Sequence, residues 1–317
     1  MSTTSSLIKS YAAAAILLAG FLIASTILLN SVFADSNDSV TSVSVGNARP
    51  SVSATAISPD PITPNENTTT SVTITATISD GNGCDTVFTD GTITAVFYRS
   101  GVTATSSCTA DDLNCYRNIT LVEVNNTCTG SSDTAGDAVG TTSVWYFVDA
   151  TDASSTYSAQ NWVALVTATD SQSSSSLQID GASSTVEINT TTALNVTATI
   201  NYGSVAANDN TGATNQVATT TNTGNGAIDL EISGANLVSS GNSIDVGQQK
   251  YASSTLTYAS LTYTLSTSPT VREWNIGVAT ASTTASASST FWGLAVPNGQ
   301  ANGSYTGTTT FTAVFSP

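Results

Sequence analysis

The sequence predicts an all-β protein: two tandem immunoglobulin-like or jelly-roll-type β-sandwich domains behind an N-terminal signal sequence or anchor. Three observations carry that expectation. Apolar and polar residues alternate with period 2, as Val72, Ile74, Ala76 and Ile78 do against Thr73, Thr75 and Thr77. Turn formers such as Asp80-Gly81-Asn82-Gly83 separate these segments at short intervals. Beyond the N-terminal apolar run, no window carries a convincing helical period.

That run comes first. From Tyr11 through Ile16, Leu17, Phe21, Ile23 and Leu28 the chain is almost wholly apolar; Lys9 precedes it, and Val32-Phe33-Ala34 ends it before Asp35. A basic flank, an apolar core and small residues at the cut are what a signal peptidase reads, so cleavage is expected after Ala34. The run is also close to the roughly 20 residues that span a bilayer, so residues 1–34 kept as an uncleaved anchor are the alternative. Residues 35–49 are polar and aperiodic and read as a linker or flexible arm.

A first sandwich is expected over 50–189. Its strands are predicted at 51–57, 72–78, 92–99, 116–124, 142–149 and 161–170, with a short one near 184–188. About seven strands in about 140 residues is the spacing of an immunoglobulin-like sandwich. Ser/Gly-rich sequence over 171–184 reads as connection, and the boundary is expected near 189–191. A second sandwich over 190–317 repeats the style. Leu194, Val196, Ala198, Ile200 and Tyr202 alternate with polar residues, as do Ile228, Leu230 and Ile232, then Leu261, Tyr263 and Leu265. The chain closes on 308–315, with Phe311, Ala313 and Phe315 on one face.

Composition excludes several function classes. Of 317 residues only 9% are charged, while 40% are hydrophobic. Ser and Thr supply roughly a third, well above ordinary usage. Thr is β-branched and fits a half-buried pleated surface, so this enrichment favours strands over a disordered stalk. The formal net charge is −16, and the few cations (Arg49, Arg99, Arg117, Lys250 and Arg272 after the leader) never adjoin. Nucleic acid needs clustered cations to neutralise phosphate, so it is not an expected partner. The same sign argues against an anionic membrane surface, leaving membrane contact to the N-terminal segment alone. Asn-x-Ser/Thr recurs, at Asn37, Asn67 and Asn118 among others, as this Ser/Thr content alone would produce.

The four cysteines, Cys84, Cys108, Cys115 and Cys128, lie in one window of an exported chain and read as two disulfides. Three pairings are open. The favoured one closes Cys108–Cys115 around Asp111 and Asp112, with Cys84–Cys128 tying two connections together. With no His and no C-x-x-C, a zinc site has little support.

The absence of His also removes Ser-His-Asp and Cys-His catalysis, so no enzyme is expected. A carboxylate-based hydrolase is the distant alternative, since two acids can meet from anywhere in a sequence. No cofactor is expected apart from calcium. Asp80, Asn82 and Asp85 stand around glycines at spacings that let their oxygens converge, and Asp111-Asp112 and Asp149 with Asp152 are comparable clusters. Solvated turn acids are the plainer reading of each. Trp145, Trp162, Trp274 and Trp292 fall in strand segments and are expected in the core; an exposed pair would favour glycan binding instead.

Two groups of residues resemble known proteins. Ala54 with Ile57-Ser-Pro-Asp-Pro61, Asp80-Gly-Asn-Gly-Cys84, Ala95-Val-Phe-Tyr-Arg-Ser-Gly101, Trp145-Tyr-Phe147 and Asn161-Trp162 resemble an immunoglobulin-like module of exported surface proteins in uncultivated small-celled bacteria. Thr223-Gly-Asn-Gly226, Ile228-Asp-Leu-Glu-Ile-Ser-Gly234, Trp292-Gly-Leu-Ala-Val-Pro297 and Gly303-Ser-Tyr-Thr-Gly-Thr308 are similar to β-sandwich modules of secreted cell-surface and filament-type proteins. The resemblance implies an S-layer, adhesin or filament component and carries no catalytic residue.

The expected function is therefore a non-catalytic structural or adhesive protein of the cell surface, partnered by other surface proteins or by itself. Strand addition by the 35–49 arm or the 308–315 strand is one route to assembly. A glycan- or receptor-binding module is the alternative. No apolar tail precedes Pro317, so attachment is expected through the N-terminus or other proteins.

Overall fold

The computed structural model describes residues 39–102, 108–172, 175–179, 184–197 and 199–316. The expected leader and its expected cleavage site at Ala34 lie outside them. The chain divides into two units, residues 1–46 and 47–317. Within the first, residues 39–46 carry no regular structure and expose Val40, Val43 and Val45 to 94%, 88% and 79%. The second unit holds every strand described below.

Its first half contains β1 (Ser51–Ser58), β2 (Thr69–Ser79), β3 (Thr92–Arg99), β4 (Cys115–Thr120), β5 (Val122–Glu123), β6 (Ala135–Trp145), β7 (Trp162–Thr169), β8 (Ser175–Ile179) and β9 (Thr185–Val186). They form two antiparallel sheets, ordered β1-β2-β6-β5 and β4-β3-β7-β8, with β9 also on β7. Taking β1 to β8 as A, B, C, C′, D, E, F and G, these sheets are ABED and C′CFG, the strand order of an immunoglobulin-type sandwich. The alternation in β2 does what its period demands. Val72, Ile74, Ala76 and Ile78 are all but fully buried, and the threonines between them face outward or sit half-buried. Each buried Val or Ile there contributes about 1.5–3 kcal/mol. Facing them across the core are Phe97, Trp162, Ala164 and Val166.

Three elements differ from expectation. The strand expected at 142–149 begins earlier, at Ala135, and ends at Trp145, where Val148 N–H closes a turn on the Trp145 carbonyl at 3.0 Å. Its first half hid in the sequence because Ala135-Gly-Asp-Ala-Val-Gly is poor in strand formers. Packing explains those small residues: a Cβ on Gly136 would stand 2.8 Å from the Phe88 ring and 3.0 Å from Cys128 Cβ. The 116–124 segment breaks into β4 and β5 around Leu121, whose N–H turns to the Ile93 carbonyl. The Ser/Gly-rich 171–184 stretch contains β8, which a polar composition alone does not announce but an open edge of β7 pairs readily.

The second half adds β10 (Leu194–Val196), β11 (Asp209–Asn210), β12 (Gln216–Asn222), β13 (Ile228–Gly234), β14 (Leu237–Ser239), β15 (Asn242–Ile244), β16 (Gln249–Ala252), β17 (Tyr263–Thr264), β18 (Thr270–Ile276), β19 (Ser286–Val296) and β20 (Thr309–Phe315). One sheet runs β10-β12-β19-β16-β17, with β11 also on β19; a second runs β18-β13-β20; β14 and β15 form a hairpin. Ile228, Leu230 and Ile232 from one sheet meet Tyr251 and Trp292 from the other in a second core. The alternation from Leu194 to Tyr202 yields a strand only as far as Val196.

The two cores adjoin at a bonded junction rather than a loose linker. Asn225 is 7% exposed; its Nδ2 donates to the carbonyls of Val148 and Asn189, both at 3.1 Å, and its Oδ1 accepts from Thr191 N–H at 2.6 Å. Tyr146 and Phe147 pack with Ala279 beside it.

Candidate functional site

A groove of about 1050 Å³ lies in the second half. Its walls follow from sheet topology. β10 ends one sheet and β20 ends the other, and each has a single partner strand, β12 and β13 respectively. Val196 and Ile200 line one wall, Phe311 and Tyr305 the other, with Leu237 and Leu294 among the floor residues. The groove is thus mixed polar and apolar in its lining and flanked by two sheet edges.

The segment after β10 is what leaves the groove open. Among the described residues, the backbone N–H groups of 199–205 make one hydrogen bond, from Gly203 to Asn201 Oδ1 at 2.9 Å. Backbone donors left unspent beside a cleft are available to pair with another chain, although the segment turns at Gly203, whose φ is +70°. The Tyr202 hydroxyl reaches Gln249 Oε1 at 3.2 Å, and burial pushes its phenol well above the ordinary value. It therefore stays a neutral donor and fixes the groove floor to β16.

The acidic clusters fall in different settings. Asp80 is 2% exposed and closes the loop after β2: its Oδ1 accepts from Asn82 N–H at 2.7 Å and its carbonyl from Gly83 N–H at 3.2 Å. Asn82 Oδ1 accepts from Ala48 N–H, and Asp85 opens a one-turn helix, Asp85–Phe88. These three loop residues are brought together. Asp111 and Asp112 are exposed and separate from them; Asp111 Oδ1 accepts from Leu113 N–H at 2.6 Å, a turn-forming role. Among the described residues no three His, Cys, Asp or Glu side chains gather as a metal site.

Asp149 and Asp152 do structural work apart from one another. Asp149 pairs with Arg99. Asp152 lies at the junction, with its Oδ1 accepting from the Thr190 hydroxyl at 2.6 Å and its Oδ2 from Thr190 N–H at 2.8 Å. Partial burial pushes the Asp152 carboxyl up, but the Thr190 and Ser154 donors outweigh it and hold the group below its ordinary value. Its contribution is present above the ordinary Asp value and lost as pH falls through the depressed one. Asp152→Asn is expected to cost about 1 kcal/mol at pH 7, discounted for its exposure, and to flatten the acid limb of stability. Urea titrations from pH 3 to 7 check this; an acid limb matching the parent's refutes it.

Cys84 pairs with Cys128 and Cys108 with Cys115, Cα to Cα 6.0 and 6.2 Å, and no described cysteine is free. Two disulfides fit an oxidising, extracellular setting. No helix among the described residues is long and apolar enough to cross a membrane. Trp162 and Trp292 are fully buried and Trp145 and Trp274 half-buried. No model of a known protein family matches the chain, and no curated protein matches it in sequence. Sequence reasoning missed the groove, since which strands end a sheet depends on pairing between distant segments.

Proposed function

We propose that this protein is a non-catalytic extracellular structural component that assembles by strand addition, the 39–46 arm of one copy lying in the β10/β20 groove of the next. The observation that carries the reading is the groove bounded by two sheet edges, with Val196, Ile200 and Phe311 in its otherwise mixed lining. The arm suits it in chemistry and length. Val43 and Val45 share one face of an extended chain, and their exposure costs solvation that a groove would relieve. Eight extended residues span about 26 Å, against about 23 Å for the seven of β20. The inserted strand would gain main-chain hydrogen bonds along an edge and seat alternate side chains on Val196, Ile200 and Phe311.

Because arm and groove are different surfaces, the contact is head-to-tail, and if its rotation does not close it generates a filament or lattice. The exported leader, the disulfides and the resemblance to surface modules support a cell-surface location. The sparse charge and missing His support a role without catalysis. Glycan binding draws less support, because the tryptophans are buried or half-buried.

Sedimentation velocity and electron microscopy test the reading with two variants. Val43→Asp/Val45→Asp should give a chain with a disabled arm and Ile200→Lys one with a blocked groove. Each alone is expected to stay monomeric where the parent assembles. Mixed, they should form a heterodimer, since one intact arm and one intact groove remain. A parent monomeric at all concentrations, or assembly indifferent to both variants, overturns the proposal.

A further inference from the structure

We infer that the 80–85 loop is a calcium-binding site, built from Asp80, Asp85 and backbone carbonyl oxygens. The inference stands apart from the assembly reading. Two carboxylate oxygens in this loop, Asp80 Oδ2 and Asp85 Oδ1, are buried and have no hydrogen-bond partner. Asp80 itself is 2% exposed, and its other oxygen is bonded inside the loop to Asn82 N–H, which turns the carboxyl group inward. Buried carboxylate oxygens without donors are costly, and no Lys or Arg among the described residues pairs with either group. In a chain of net charge −16, a cation from solution is the available remedy.

Gly83 lies against two oxygens of different segments. A Cβ there would stand 2.7 Å from Asp85 Oδ1 and 2.9 Å from the Ser131 carbonyl oxygen, and φ at Gly83 is +117°. Only glycine keeps that space clear. Two carboxylates with carbonyls and water make a hard, all-oxygen set of mixed charge, which suits calcium's irregular coordination better than magnesium's strict octahedron. The same loop also holds Ala48, whose N–H donates to Asn82 Oδ1.

Isothermal titration of the purified protein with CaCl2 tests this. One site is expected, with affinity on the order of 10⁻⁴–10⁻³ M, and a rise in melting temperature with calcium that equal magnesium does not match. Asp80→Asn and Asp85→Asn should each weaken binding at least tenfold, while Asp111→Asn/Asp112→Asn binds as the parent does. Asp85 is half-buried rather than core, so its variant keeps the test decisive if Asp80→Asn fails to fold. No calcium heat up to ~10 mM, or binding that survives Asp85→Asn, overturns the inference.

Discussion

Removing the Cys84–Cys128 disulfide is expected to lower stability by about 4 kcal/mol, against about 2 kcal/mol for Cys108–Cys115. The difference comes from loop length. The first bond closes a sequence separation of 44 and the second one of 7, so the first restricts the unfolded chain far more. Local structure adds to the contrast. Cys84 N–H bonds the Asp133 carbonyl and Asp80 N–H bonds the Thr134 carbonyl, both at 2.8 Å, so the first bond also holds the 80–85 loop against the 128–134 segment. The double variant Cys84→Ala/Cys128→Ala should melt about 10 °C below the parent and Cys108→Ala/Cys115→Ala about half as far below. Calorimetry checks both, and equal shifts would refute the loop-length account.

Arg99→Met is expected to cost about 3–5 kcal/mol at neutral pH, because it leaves a buried carboxylate unpaired. Arg99 Nε donates to Asp149 Oδ2 at 2.9 Å, with the two side chains 10% and 15% exposed. The guanidinium also bonds Gln160 Oε1 and stacks 3.7 Å over the Tyr157 ring. Burial pushes the Asp149 carboxyl above its ordinary value even though Arg99 pulls it down, so losing Arg99 pushes it higher still. A carboxyl raised in the fold carries no penalty below the ordinary Asp value, and the full penalty once pH exceeds the folded one. The deficit of Arg99→Met should therefore shrink as pH falls towards about 4. Replacing both partners, as Arg99→Met/Asp149→Leu, should recover much of the loss, since no buried charge remains. Urea titrations across pH decide; a deficit independent of pH would show that lost packing, not the stranded charge, dominates.

The strands that the sequence announced were those with one buried face. In β2 the period-2 pattern is strict, as burial of one face requires, whereas β7 is a continuous apolar run buried over its first five residues. β6 was half hidden because Gly136 and Gly140 are chosen by close approach, to Phe88 and to the Thr120 carbonyl, not by strand propensity. β8 was hidden because a Ser-rich segment carries little strand signal of its own, while its pairing with β7 depends on chain that is distant in sequence. The 80–85 loop was legible as an Asp-Gly-Asn-Gly turn; that Asp80 is buried there, and Asp111 exposed, was not.

By itself the sequence determined an all-β chain, four cysteines in one window, a cation-poor surface and no histidine chemistry. These follow from composition and local period, which do not depend on what a segment packs against. Tertiary structure alone decided which strands end their sheets, and hence that β10 and β20 flank one open groove. It also decided that Asn225 bonds the two halves at the junction. Both are long-range choices: an edge exists only relative to the other strands, and a buried amide is satisfied only by chain that arrives from elsewhere.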